Sequence, residues 1–151
     1  MAIEVAIETT IARAPADVFR RIADIESWPS WLIASGIIGV VRSSSGPVVA
    51  GERLTVEQRA AGRAGTFDAR VTVLDPTKRL ALHGVDAEGL SIDIDAALTP
   101  AEAGTALRWS IRIGLPIRFR VFESMARPQV QRAAALDVEA LRRRLESAQP
   151  D

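Results

Sequence analysis

From residue 3 to residue 11 the apolar side chains fall on every second position, with Ile3, Val5 and Ile7 on one face and Glu4, Ala6 and Glu8 on the other. That period predicts a half-buried strand. The run Arg13-Ala14-Pro15-Ala16-Asp17 interrupts it, and Pro15 suits the first turn of a helix, where a missing N–H costs nothing. Val18, Phe19, Ile22 and Ile25 then recur at helical spacing, which predicts a short amphipathic helix over residues 17–25. Ser27-Trp28-Pro29-Ser30-Trp31-Leu32 starts a second short helix that Gly36 ends.

Beyond residue 36 the period drops to two. Strands are predicted over 37–42, 53–59, 66–74, 79–86, 90–98 and 105–113, separated by turn signals such as Ser43-Ser44-Ser45-Gly46-Pro47 and Asp75-Pro76-Thr77-Lys78. Leu54 and Val56 point inward on one strand, and Phe67, Ala69, Val71 and Val73 on the next. One polar face per strand predicts an antiparallel sheet wet on one side. Helical spacing returns at the end of the chain, through Phe122, Ala126, Val130, Ala134, Val138, Leu141 and Leu145, and predicts a long helix over 118–147. Pro128 inside it predicts a kink or a separate preceding turn. The Arg142-Arg143-Arg144 run reads as a solvated helix end.

Turn lengths predict the register. A four-residue turn at 75–78 sets Leu74 opposite Arg79, Val71 opposite Leu82 and Ala69 opposite Gly84. A three-residue loop, Ala87-Glu88-Gly89, sets Asp86 opposite Leu90 and Leu82 opposite Ile94. All apolar residues then share one face. His83 falls on the other face, between Arg70 and Asp93, with Arg108 and Arg112 continuing the polar rows. Glu4 and Glu8 extend those rows if the first strand pairs with the last. In this register His83 belongs to a surface charge ladder; a shift by one residue turns it inward, where it becomes a weak candidate for a catalytic acid or base.

The inner face is the candidate binding surface. Small residues on the sheet (Ala69, Gly84 and Ala96) face small residues on the long helix (Ala126, Ala133 and Ala134), which predicts a cavity between the two layers. The alternative is tight packing in which the small residues only let the helix approach. The predicted ligand contacts are Trp31, Gln58, Phe67, Ala69, Leu82, Gly84, Ile94, Trp109, Phe122 and Met125. Of the two neighbouring tryptophans, Trp28 is the one expected to cap the core, and Gln58 is the one polar group expected on the inner face.

Composition narrows the chemistry. A chain of 151 residues with 48% hydrophobic and 25% charged residues suits one domain, here 1–147 with a short tail at 148–151. Cys is absent, which excludes disulfides, thiolate metal sites and cysteine nucleophiles. A single His leaves no histidine-rich metal site and makes a His-based triad improbable, so no metal or cofactor is expected. Equal numbers of basic and acidic residues, 19 each, argue against nucleic acid as a partner. No apolar run approaches the roughly 18 residues of a membrane span, and no leader pattern is visible, so the expected address is the cytoplasm.

The order strand, two short helices, six-strand meander and long helix resembles the helix-grip fold of the START/Bet v 1-like superfamily. More closely, it resembles the bacterial polyketide cyclase/dehydrase (SRPBCC) family. The resemblance rests on Ile3-Glu4-Val5, Ala14-Pro15-Ala16-Asp17-Val18-Phe19, Ile22-Ala23-Asp24 with Trp28-Pro29-Ser30-Trp31, Leu74-Asp75-Pro76 with Arg79-Leu80, and Asp137-Val138-Glu139-Ala140-Leu141. It implies an α+β architecture: a seven-stranded curved antiparallel sheet around a long C-terminal helix, with a hydrophobic tunnel between them. It also implies a lipid- or polyketide-like ligand, and lipid transport is one of the tasks found in the superfamily. The family has no universal catalytic motif, so three functions stay open: a binder of a small hydrophobic or aromatic molecule, a polyketide aromatase/cyclase or dehydratase, and a protein–protein module. The enzyme would use His83, with Gln58 or Arg118 orienting a carbonyl. The module would show an exposed apolar patch near Ile37-Ile38 or the second helix.

Overall fold

The first strand, β1 (Ala2–Ile11), ends where Pro15 opens α1 (Pro15–Ala23), and a 3₁₀ helix follows at Ile25–Ser30. The meander comprises β2 (Ile37–Arg42), β3 (Arg53–Ala60), β4 (Arg63–Asp75), β5 (Arg79–Val85), β6 (Ser91–Ala101) and β7 (Gly104–Gly114). A second 3₁₀ helix, Ile117–Phe122, leads directly into α2 (Glu123–Ser147). This is a computed structural model, which describes residues 2–60 and 62–147; the tail expected at 148–151 lies outside the described residues.

All seven strands form one antiparallel sheet in the order β1-β7-β6-β5-β4-β3-β2. Its inner face packs on the helices, with α2 over β1 and α1 against β5, β6 and β7. The buried stripe of α2 is Ala134, Asp137, Val138, Leu141 and Leu145. The separate turn predicted ahead of α2 is the 3₁₀ helix, and α2 itself runs through Pro128. Because α2 begins at Glu123, Pro128 lies near its N-terminal end, where few helical hydrogen bonds are lost.

The register agrees with expectation at the rows that matter most: Ala69 faces Gly84, Arg70 faces His83 and Val71 faces Leu82, while Leu82 faces Ile94 and His83 faces Asp93. The turn end of β4 differs. Asp75 pairs with Arg79 and Leu74 with Leu80, so the loop has three residues, with Thr77 in the left-handed region at φ 66°. An irregularity between Val71 and Val73 absorbs the extra residue. A bulge of this kind moves every later side chain to the opposite face. Leu74 therefore packs on the core, and Val73, expected inward, pairs with Ala81 on the outer face.

On the outer face β1 does pair with β7, and the charge rows close as ion pairs. Arg108 meets Glu8 and Arg112 meets Glu4, both at 3.3 Å, and Arg79 reaches Asp95 at 2.6 Å. His83 Nδ1 lies 2.7 Å from Asp93 Oδ1, in the open. These are solvated pairs, individually worth little.

Candidate functional site

The interior beneath α1 and the first 3₁₀ helix is filled by tryptophan. Trp28, Trp31 and Trp109 are each almost wholly buried and meet edge-to-face, with Trp31 and Trp109 centroids 5.2 Å apart. Trp28 Nε1 donates to the Ile22 carbonyl at 2.8 Å, which holds the 3₁₀ helix to the end of α1. The Trp31 and Trp109 indole N–H groups are buried with no hydrogen-bond acceptor among the described residues. Each such group costs about 1–3 kcal/mol, offset in part where an indole N–H leans on a neighbouring π face.

Beside this cluster lies a cavity of about 370 Å³ between the sheet and α2. Ile92, Ile94, Trp109, Ile111 and Ile113 of β6 and β7 form its floor, and Gln129, Val130 and Ala133 of α2 form its roof. The segment 32–37 and the end of β3, with Gln58, Arg59 and Ala60, form its rim. Its volume falls within the usual range of small-molecule sites, about 300–1,000 Å³. Three larger hollows, about 510, 590 and 770 Å³, lie on the outer face beside paired or exposed charges such as Arg108 with Glu8, Arg79 with Asp95, and Arg53 with Arg70.

Side-chain hydrogen bonds from both layers hold the rim. Asp137 is buried in the apolar stripe of α2, and its carboxylate accepts the backbone N–H of Ala34 at 2.8 Å and of Ser35 at 3.0 Å. From the sheet side, Gln58 Nε2 donates to the Ser35 carbonyl at 2.8 Å. Gly36 completes the turn with φ 77°, and a Cβ there would meet the Arg59 carbonyl oxygen, which only glycine avoids. Burial pushes the Asp137 carboxyl above its ordinary pKa, and the bonds from Ser35 and Ala34 pull it back in part.

Of the ten predicted contacts, the cavity brings together Gln58, Ile94 and Trp109. Trp31, Phe67, Ala69 and Leu82 are core residues outside its lining. Gly84 is not an opening either: a Cβ on it would lie 3.2–3.3 Å from Ala69, Asp68 and Phe67, so its small size lets β4 and β5 approach. The sheet packs closely at Ala69 and Gly84, and the open space sits over the isoleucines of β6 and β7. Phe122 and Met125 lie outside the lining as well. They are 53% and 67% exposed, because the chain turns at the 3₁₀ helix before α2 settles on the sheet. Arg118 is exposed and donates to the Glu88 carbonyl. His83 stands on the outer face, across the sheet from the cavity.

Asp137 is the site residue that sequence reasoning passed over. Its signal was present: an acid three residues after Ala134 and four before Leu141, inside an otherwise apolar stripe. An acid at such a position must find donors, and the rim supplies them.

A curled antiparallel sheet gripping a long C-terminal helix, with an apolar cavity between them, defines a helix-grip protein. The chain belongs to the polyketide cyclase/dehydrase and lipid transport family, whose profile matches residues 2–146. Solved structures share the fold at low identity. TTHA0849 from Thermus thermophilus is 18% identical with a TM-score of 0.76, covering 97% of this chain and 99% of that one. The ZhuI aromatase/cyclase from Streptomyces sp. R1128 is 16% identical with a TM-score of 0.76, covering 97% and 94%. Protein MLL2253 from Mesorhizobium loti is 20% identical with a TM-score of 0.73, covering 97% and 99%. No curated protein matches the chain.

Proposed function

We propose that this protein binds a small hydrophobic or aromatic molecule, lipid- or polyketide-like, in the cavity between β6, β7 and α2, and that it does so in the cytoplasm. The observation that carries the reading is the lining itself. Four isoleucines and Trp109 face Val130 and Ala133 across about 370 Å³, with the polar side chains at the rim, at Gln129 and, as a single buried N–H, on Trp109. Such a surface favours an apolar body and orients it by one or two polar contacts. Arg59 is the one ionisable side chain among the lining residues, and the nearby Asp137 carboxylate is engaged by backbone N–H groups. That arrangement favours holding a ligand over transforming it.

The test is twofold. Native mass spectrometry of the purified protein, followed by solvent extraction, should release a bound apolar compound. Titration with the fluorescent probe N-phenyl-1-naphthylamine should saturate at one site, and Ala133→Phe, which fills the roof, should weaken it about tenfold or more, a loss of ~1.4 kcal/mol. A clean apo mass together with probe binding that Ala133→Phe leaves unchanged would sink the reading.

A further inference from the structure

Ile37 is buried in the core, and although Ile33 and Ile38 are exposed, the exposed apolar surface concentrates where the chain enters α2. Ile117 is 85% exposed, Val121 75%, Met125 67% and Phe122 53%, all within nine residues of chain. Arg118 and Arg120 are interleaved with them. Arg118 donates to the Glu88 carbonyl, Pro116 abuts Gly89, and Arg63 pairs with Glu88 at 3.1 Å. The entry to α2 and the tips of the β3–β4 and β5–β6 hairpins therefore share one end of the molecule. Arg59, Arg63, Arg118 and Arg120 stand there against Asp86, Glu88 and Glu123, and Glu123 is itself paired with Arg127, which leaves a local positive excess in a chain whose formal net charge is zero. Asp86 is further occupied by the backbone N–H groups of Glu88 and Leu90. The cavity reaches toward this same end, since Arg59, Ala60, Ile92 and Ile113 lie near these strand ends and also line it.

We propose that this end docks on an anionic lipid surface, with Ile117, Val121, Phe122 and Met125 entering the headgroup boundary and the arginines meeting lipid phosphates. Apolar side chains beside basic ones are what such an interface selects. Side chains that keep more than half of their surface stand proud of the body, and a fluid bilayer closes around them where a rigid protein surface would need a matching groove. A second copy of the chain is disfavoured on charge, because a two-fold contact sets the same positively charged patch against itself. Docked this way, the cavity end faces the bilayer, so an apolar ligand can pass between the two with little exposure to water; this last step rests on the proposed function, whereas the docking does not.

Co-sedimentation with vesicles tests it. The protein should pellet with phosphatidylcholine vesicles doped with phosphatidylglycerol, much less with phosphatidylcholine alone, and should be released by salt. Val121→Asp and Arg120→Glu, both at exposed positions, should each weaken binding about tenfold or more with unchanged circular dichroism. No preference for the doped vesicles, or variants that bind as the parent does, would overturn the proposal. So would a concentration-dependent dimer in sedimentation velocity that Val121→Asp dissolves, since that outcome assigns the patch to a second copy. Ala133→Phe should still pellet with the doped vesicles, so a failed cavity and a failed docking surface give different results.

Discussion

Asp137 on α2 and Ser35 on the cavity rim are 102 positions apart in the chain, yet the carboxylate of one accepts the backbone N–H of the other at 3.0 Å. The second oxygen takes the N–H of Ala34 at 2.8 Å, so one buried side chain fixes two successive backbone groups of the rim. Asn at this position offers one acceptor and sets an amide N–H₂ against the other donor. Asp137→Asn should cost about 1–3 kcal/mol in urea unfolding and speed amide exchange at residues 33–36.

The same carboxyl carries a pH signature. Its folded pKa is raised by burial, so between the unfolded value and the raised one the native state holds more protons than the unfolded chain. Its contribution to stability therefore grows as pH falls through that window and declines as pH rises. Unfolding of the parent and of Asp137→Asn should show the gap between them widening as pH falls toward the ordinary carboxylate pKa.

Glu52 behaves in the opposite sense. Its carboxylate is buried, accepts both Nε and a terminal nitrogen of Arg42, at 2.6 and 3.0 Å, and has its pKa lowered chiefly by that contact. Arg42 also reaches Glu26, at 3.0 Å, so the cluster pins the first 3₁₀ helix to the sheet. The stabilisation from Glu52 is present above its unfolded pKa and is lost as pH falls through the folded one. Glu52→Gln should destabilise by about 1–3 kcal/mol near neutrality, and the variant should lose less stability than the parent on acidification.

Gly84→Ala is expected to destabilise by about 1–3 kcal/mol, because three neighbouring atoms lie 3.2–3.3 Å from where the new methyl would sit. Thermal unfolding checks this, and N-phenyl-1-naphthylamine affinity should stay unchanged in the folded variant. A gain in affinity would mean that the β4–β5 seam belongs to the cavity after all.

His83→Ala should leave probe binding untouched and shift stability by less than about 1 kcal/mol, since the ring is on the outer face and pairs with Asp93 in solvent.

Periodicity was enough to read the meander, the paired edges β1 and β7, and the outward His83, because alternation over a one-sided sheet leaves little freedom in register. It could not reveal the bulge after Val71, since an inserted residue leaves no mark on composition, and Val73 and Leu74 are both apolar. The error in the Asp75 turn and the unseen bulge cancel, which is why the rows from Ala69 to Val71 come out as expected. Small residues were harder to interpret. Ala133 leaves space, whereas Ala69 and Gly84 remove it by drawing strands together; what distinguishes them is the shape of the opposite surface, set by the whole fold. Phe122 and Met125 fit the helical spacing of α2 yet precede its contact with the sheet, and a period does not say where packing begins.

The tryptophan cluster has a practical consequence. The chain has three tryptophans and no tyrosine, and all three indoles lie within 6.4 Å of a neighbour in one group whose member Trp109 lines the cavity. Its ultraviolet emission therefore arises from a single coupled chromophore set at the cavity wall, with no background from elsewhere in the fold. A molecule that enters the cavity would meet this chromophore set at Trp109, and its arrival would be readable without a label.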